Sequence, residues 1–171
     1  MFIRLSAAVA AVSLLSGAAF AAGPTDPQIA HIAYTAGVID VAAAKQALAK
    51  TSNKEVKAFA ENMVSDHEAV NKLALDLCTK LKVTPEDNDT SKTLSKNAAD
   101  KLAELAKLNG ADFDKAYVAN EVAYHKAFDS ALKTTLIPGA SNAELKSLLQ
   151  TGLKIFEGHE LHAEHIAAAL K

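Results

Sequence analysis

Apolar residues along this chain recur every three or four positions, in five stretches separated by short polar or breaker-rich segments. The first stretch, 27–50, has an apolar face at Ile29, Ile32, Ala33, Ala36, Ile39 and Ala43. Thr51-Ser52-Asn53 then predicts a turn, with Ser52 or Asn53 as N-cap and Glu55 in the following first turn. A second helix, 54–82, carries a seam at Val56, Ala60, Met63, His67, Val70, Ala74, Leu77 and Leu81. Those spacings alternate four and three, the 3.5-residue repeat of bundle packing. A polar loop over 84–90 leads to a shorter helix, 91–108, with Leu94, Ala98, Leu102, Leu105 and Leu108 on one face.

Asp112 is the expected N-cap of a helix over 113–134, striped by Phe113, Tyr117, Glu121, Tyr124, Phe128 and Ala131. Pro138-Gly139 predicts a break within 136–140. Ser141 with Glu144 reads as a capping box opening a last helix, 142–170. Its seam is Leu145, Leu149, Gly152, Phe156, His159, Ala163, Ile166 and Leu170. No stretch alternates with the period of a strand. The expected architecture is all-α: an up-and-down four-helix bundle with an additional short helix between the second and third long ones.

Composition narrows the function. The 171 residues, 50% hydrophobic and 22% charged, suit one folded domain and exclude a disordered chain. With 18 Lys and Arg against 20 Asp and Glu, there is no basic field to hold nucleic acid. The single cysteine, Cys78, excludes an internal disulfide scaffold and reads as a buried free thiol. Residues 1–21 have the form of a secretory signal: Arg4, an apolar run from Leu5 to Leu15, and the exit Ala19-Phe20-Ala21. Cleavage after Ala21 leaves a domain of 22–171 with no second hydrophobic span and no transmembrane segment, destined for the periplasm or secretion. Oligomeric state and protein partners leave no mark in this pattern.

Polar residues interrupt the core stripes. Asp40 falls amid Ala36, Ile39, Val41 and Ala43; His67 lies on the second helix's seam, with Asp66 at its edge and Met63 one turn before. Glu121 and His125, four apart, share a face; His159 and His162, three apart, flank the last seam. Asp40 lies 12 residues before Ser52 and His67 15 after it. At about 1.5 Å per residue, they differ in depth by roughly 5 Å. The same reckoning about Pro138 puts Glu121 and His159 within about 6 Å. Asp40, His67, Glu121, His125 and His159, with Asp66, His162 and Met63 as secondary candidates, therefore compose a metal-ligand set at one mid-bundle level. Imidazole with carboxylate suits Fe, Mn, Cu or Zn. The competing reading of each residue is a hydrogen-bonded core group, with Met63 as core filler. His31 and His165 read as surface residues. His159, His162 and His165 offer an alternative chelate on one helix.

Gly37-Val38-Ile39-Asp40, Asn53-Lys54-Glu55-Val56-Lys57-Ala58-Phe59-Ala60, Met63-Val64-Ser65-Asp66-His67, Asp112-Phe113-Asp114-Lys115-Ala116-Tyr117 and Phe156-Glu157-Gly158-His159-Glu160-Leu161 resemble an exported bacterial family, domain of unknown function 4142. The resemblance spans about 30–167 and implies a ferritin-like bundle in the periplasm or at the envelope, with no assigned activity. Asp40 stands where that family usually has Glu, and Leu153-Lys154 replaces a Leu-Pro pair. Neither Glu-x-x-His copy of a ferritin-type di-iron site is present, which argues against a ferroxidase. Two function classes follow: a protein binding a transition metal in its core, or a non-catalytic envelope or stress-related protein acting through its surface around a metal-free polar core. An enzyme is the less favoured reading, since no nucleophile motif or phosphate-binding Gly loop occurs.

Overall fold

The computed structural model describes residues 23–170, so the signal-like segment 1–21 lies outside the described residues. The elements are α1 (Asp26–Lys50), α2 (Lys54–Leu81), α3 (Asp89–Ala106), α4 (Gly110–Ala131), a π turn (Leu132–Leu136), α5 (Ile137–Gly139) and α6 (Ala143–Ala169). Among the described residues there is no strand, and no helix is long and apolar enough to cross a membrane.

α1 and α2 form one tight antiparallel hairpin and α4 and α6 another, with α2 against α6 and α1 against α4. α3 is the crossover. It runs beside α1 from Gln28, whose carbonyl accepts from Asn88 Nδ2, to Lys50, whose Nζ donates to the Ala106 carbonyl. The chain thus returns along the bundle before α4 begins, and α2 and α4 point the same way.

The α6 seam holds to Ile166: Leu145, Leu149, Gly152, Phe156, His159, Ala163 and Ile166 are all buried, while Leu170, at the C-cap, is half-buried. The α2 seam holds only to His67. Beyond it Val70, Ala74, Leu77 and Leu81 are half-buried, and Cys78 takes the inside position. A straight helix at 3.6 residues per turn drifts about 20° per heptad against a 3.5 repeat, enough over two heptads to bring the neighbouring residue inward.

Two expected caps move. The N-cap of α4 is Asn109, with Asp112 already in the first turn. That of α6 is Asn142, whose side chain accepts from Glu144 N and Leu145 N at 2.9 and 3.0 Å. Ser141 does not cap, because its backbone N and that of Asn142 are both held by the Asp26 carboxylate at 2.8 Å. The expected break at Pro138-Gly139 comes later, after Gly139. Ile137 N–H reaches back five residues to the Leu132 carbonyl, and this wider turn lets the helix run into a proline that would clash in an α-helical interior.

The core has two apolar ends. One gathers Phe59, Met63, Leu105, Phe113, Tyr117, Val118 and Ile166; the other gathers Ile29, Ile32, Phe128, Leu132, Leu145, Leu149 and Phe156. Between them sits a polar layer.

Candidate metal centre

Each long helix contributes to that layer: Asp40 from α1, His67 from α2, Glu121 and His125 from α4, and His159 from α6. All five are buried, Glu121 completely. One donor atom each from His67, His125 and His159 lies within 4.8 Å of the others, and the same holds for Asp40, Glu121 and His125. His125 belongs to both triads. The three imidazole centroids are 5.2–5.7 Å apart, and Phe156 stacks on the His67 ring at 4.6 Å and 5°. The five residues therefore meet, as their depth along the sequence suggests.

The surroundings fix which nitrogen carries the proton in two of the three imidazoles. His125 Nδ1 lies 3.0 Å from the Glu121 carbonyl, which only accepts; Nδ1 therefore donates, and the Nε2 lone pair is left free. His159 Nε2 lies 3.0 Å from Asp66 Oδ2 and donates to it, which leaves Nδ1. A backbone carbonyl or carboxylate behind an imidazole is the usual device for orienting a metal-binding histidine. His67 Nε2 is 3.5 Å from Asp40 Oδ2. Both His67 nitrogens, His125 Nε2, His159 Nδ1 and both Glu121 carboxyl oxygens are buried without a hydrogen-bond partner.

Burial sets the protonation. It lowers His67 to about 2, with His125 and His159 adding repulsion, and His125 to about 4, against the help of the Glu121 carbonyl. His159 is lowered by burial too, opposed by Asp66. Glu121 rises to about 8 through burial, and Asp40 rises well above the carboxylate range through burial, Glu121 and Asp129. At neutral pH the layer presents neutral imidazoles beside carboxyl groups that burial holds toward the protonated form.

The secondary candidates divide. Asp66, at the surface, acts through His159. Met63 is completely buried within the apolar end around Phe59, so its thioether belongs to the packing there. His162 is exposed and meets Phe59 edge-on at 5.2 Å, and His165 is also exposed, so the expected alternative chelate with His159 is not assembled. His31 is half-buried. Sequence reasoning missed Asp129, which is buried and is pushed up to about 7 by burial and by Glu160 and Glu157, against the pull of Lys133. Its signal is the spacing Glu121, His125, Asp129, three successive turns of one helix edge. Two tyrosines border the carboxyl groups as well: the Tyr124 hydroxyl donates to the Ala36 carbonyl at 3.2 Å, while that of Tyr117 is buried without a partner.

The sequence profile described as domain of unknown function (DUF4142) matches residues 12–166. The chain belongs to the DUF4142 family. Among solved structures, this DUF4142 chain is similar to one described as CopM in the Cu(II)-bound form, with a TM-score of 0.67 at 14% identity. The alignment covers 87% of this chain and 99% of that one, and the likeness is one of fold. No curated protein matches.

Proposed function

We propose that this DUF4142 chain binds one transition-metal ion in its core. His67, His125 and His159 supply the nitrogen donors, and Asp40 and Glu121 form the carboxylate side. The observation that carries the reading is the set of orphaned donor atoms. A polar layer serving only to fix helix register would satisfy itself, because each unpartnered buried group costs about 1–3 kcal/mol. Here the unsatisfied atoms converge from three helices. A cation supplies the missing partner for one nitrogen each of His67, His125 and His159 and for the Glu121 carboxylate, and the second-sphere bonds at His125 and His159 leave one nitrogen of each free for it.

Of Fe, Mn, Cu and Zn, copper is the first choice. Imidazole with carboxylate binds Cu(II) most tightly in the divalent series, and a protein of similar fold is described with Cu(II) bound. The signal pattern over 1–21 supports export, with 22–171 as the mature domain handling the ion in the periplasm or outside the cell.

The test is metal analysis of the chain purified without a His tag, followed by titration with each ion. One ion per chain is expected, with His67→Ala and His125→Ala each abolishing it. Equal metal content in both variants and the parent overturns the reading in favour of a surface-acting bundle.

A further inference from the structure

Two of the three histidines are held by hydrogen bonds, and each bond occupies a nitrogen. Nδ1 of His125 is spent on the Glu121 carbonyl and Nε2 of His159 on Asp66, both at 3.0 Å. His67 has no such anchor. Neither of its nitrogens has a hydrogen-bond partner, with Asp40 Oδ2 standing 3.5 Å from Nε2.

What fixes the plane of His67 is Phe156. The two rings lie parallel within 5°, with centroids 4.6 Å apart, a spacing typical of stacked aromatic pairs. The other ring contacts of the layer are edge-on or tilted. His67 meets His125 at 66° and His159 at 41°, and Phe156 meets His125 at 71°. Phe156 is itself seated. Phe128 leans on it at 6.3 Å, and Gly152, one turn earlier on α6, leaves the space beside it. A Cβ at position 152 would stand 3.3 Å from Phe156 Cε2 and 3.8 Å from Val70 Cγ1. Glycine weakens the interior of a helix, so its place on the buried α6 seam is accounted for by the ring it admits.

We propose that Phe156 is the positioning residue of His67, with Gly152 as the recess that seats it. The inference rests on the metal-binding reading above. Phe156 supplies no donor of its own. It acts through His67, in the place that a carbonyl or carboxylate takes behind other metal-binding imidazoles. The stack restrains the imidazole without using a nitrogen. A half-turn about Cβ–Cγ returns the ring to the same plane, so both nitrogens of His67 remain available as donors, where His125 and His159 keep one each.

The experiment uses the full chain with Cu(II) as the probe. It reads affinity against a competing chelator, together with the electron paramagnetic resonance spectrum of the bound ion. Phe156→Leu keeps an apolar side chain but removes the stack. It should weaken Cu(II) binding by about tenfold, the lower end of what losing an orienting partner costs, and alter the spectrum. Gly152→Ala puts a methyl against the ring and should have the same effects at smaller size, which keeps the test sound if Phe156→Leu disturbs folding. Phe113→Leu, which removes a buried ring at the other apolar end, should lower unfolding stability and leave affinity and spectrum alone. In the metal-free chain, proton NMR should show the His67 ring protons shifted upfield by Phe156, and the shift should vanish in Phe156→Leu. Parent-like affinity and spectrum in both Phe156→Leu and Gly152→Ala, an equal change in Phe113→Leu, or no upfield shift in the parent overturns the positioning role and leaves the histidine site standing. A parent chain that binds no Cu(II) overturns the metal-binding reading, and the positioning role with it.

Discussion

The apolar end around Phe59 and the polar layer around Glu121 are built from the same four long helices, yet they follow opposite rules. In the first, Phe59, Met63, Phe113 and Tyr117 are completely buried, with Phe113 stacked on Tyr117 at 6.0 Å and Phe59 tilted against it at 6.2 Å. Two turns along α2 and one turn along α4, the same seams present His67 and Glu121, whose buried polar atoms have no partners. The first region is finished by folding. The second keeps unpartnered donor atoms after folding.

Phe59→Ala should separate the two most sharply. Removing a completely buried ring from the apolar end should lower unfolding stability by about 3–5 kcal/mol, read by urea or heat, with the ion-to-protein ratio of the folded chain unchanged.

A change in pH should act on the polar layer alone. Glu121 is held protonated to about pH 8 in the fold but ionises near 4.5 when unfolded, so the native state binds the extra proton between those values. Stability of the metal-free protein therefore falls as pH rises. His67 and His125, lowered in the fold, oppose this only below about 6.5, where the unfolded chain takes up their protons. From pH 6.5 to 8 Glu121 should cost about 2 kcal/mol, and Glu121→Gln should flatten the slope. An equally steep decline in that variant would remove Glu121 as its source.

His67→Leu should abolish metal binding while leaving the metal-free fold as stable as the parent, or about 1 kcal/mol more so, since two orphaned nitrogens go with it. A large loss of stability would mean that the layer supports the fold without an ion. Tyr117→Phe sits at the border of the two regions. Deleting its unpartnered hydroxyl should raise stability by up to about 1 kcal/mol in thermal unfolding without touching metal content.

Much of this contrast is legible along the chain because both regions obey helical period. The α6 seam can be read residue by residue from Leu145 to Ile166, since α6 packs into the bundle along that length. The five buried polar residues of the layer are legible because burying an acid or imidazole at a seam position is costly, which makes each interruption conspicuous. Asp129 is less so, because its burial depends on how the edge of α4 meets Glu160 rather than on the stripe itself. The orientation of the histidines is equally hidden. It is set by the Glu121 carbonyl and by Asp66, groups whose aim only the packed helices define. Pro138 marks a breaker but not the turn that absorbs it, because the π turn forms before the proline rather than at it.

The Asp26 carboxylate, which accepts from the backbones of Ser141 and Asn142, also bears on how the molecule comes to be folded. It joins the first turn of the first helix to the start of the last across 115 and 116 residues of chain. Contacts of such long sequence separation form only after loop closure over most of the chain, so they belong to the slow, late part of folding. The clamp therefore closes only once α6 has docked, and it then ties the first turn of the first helix to the start of the last.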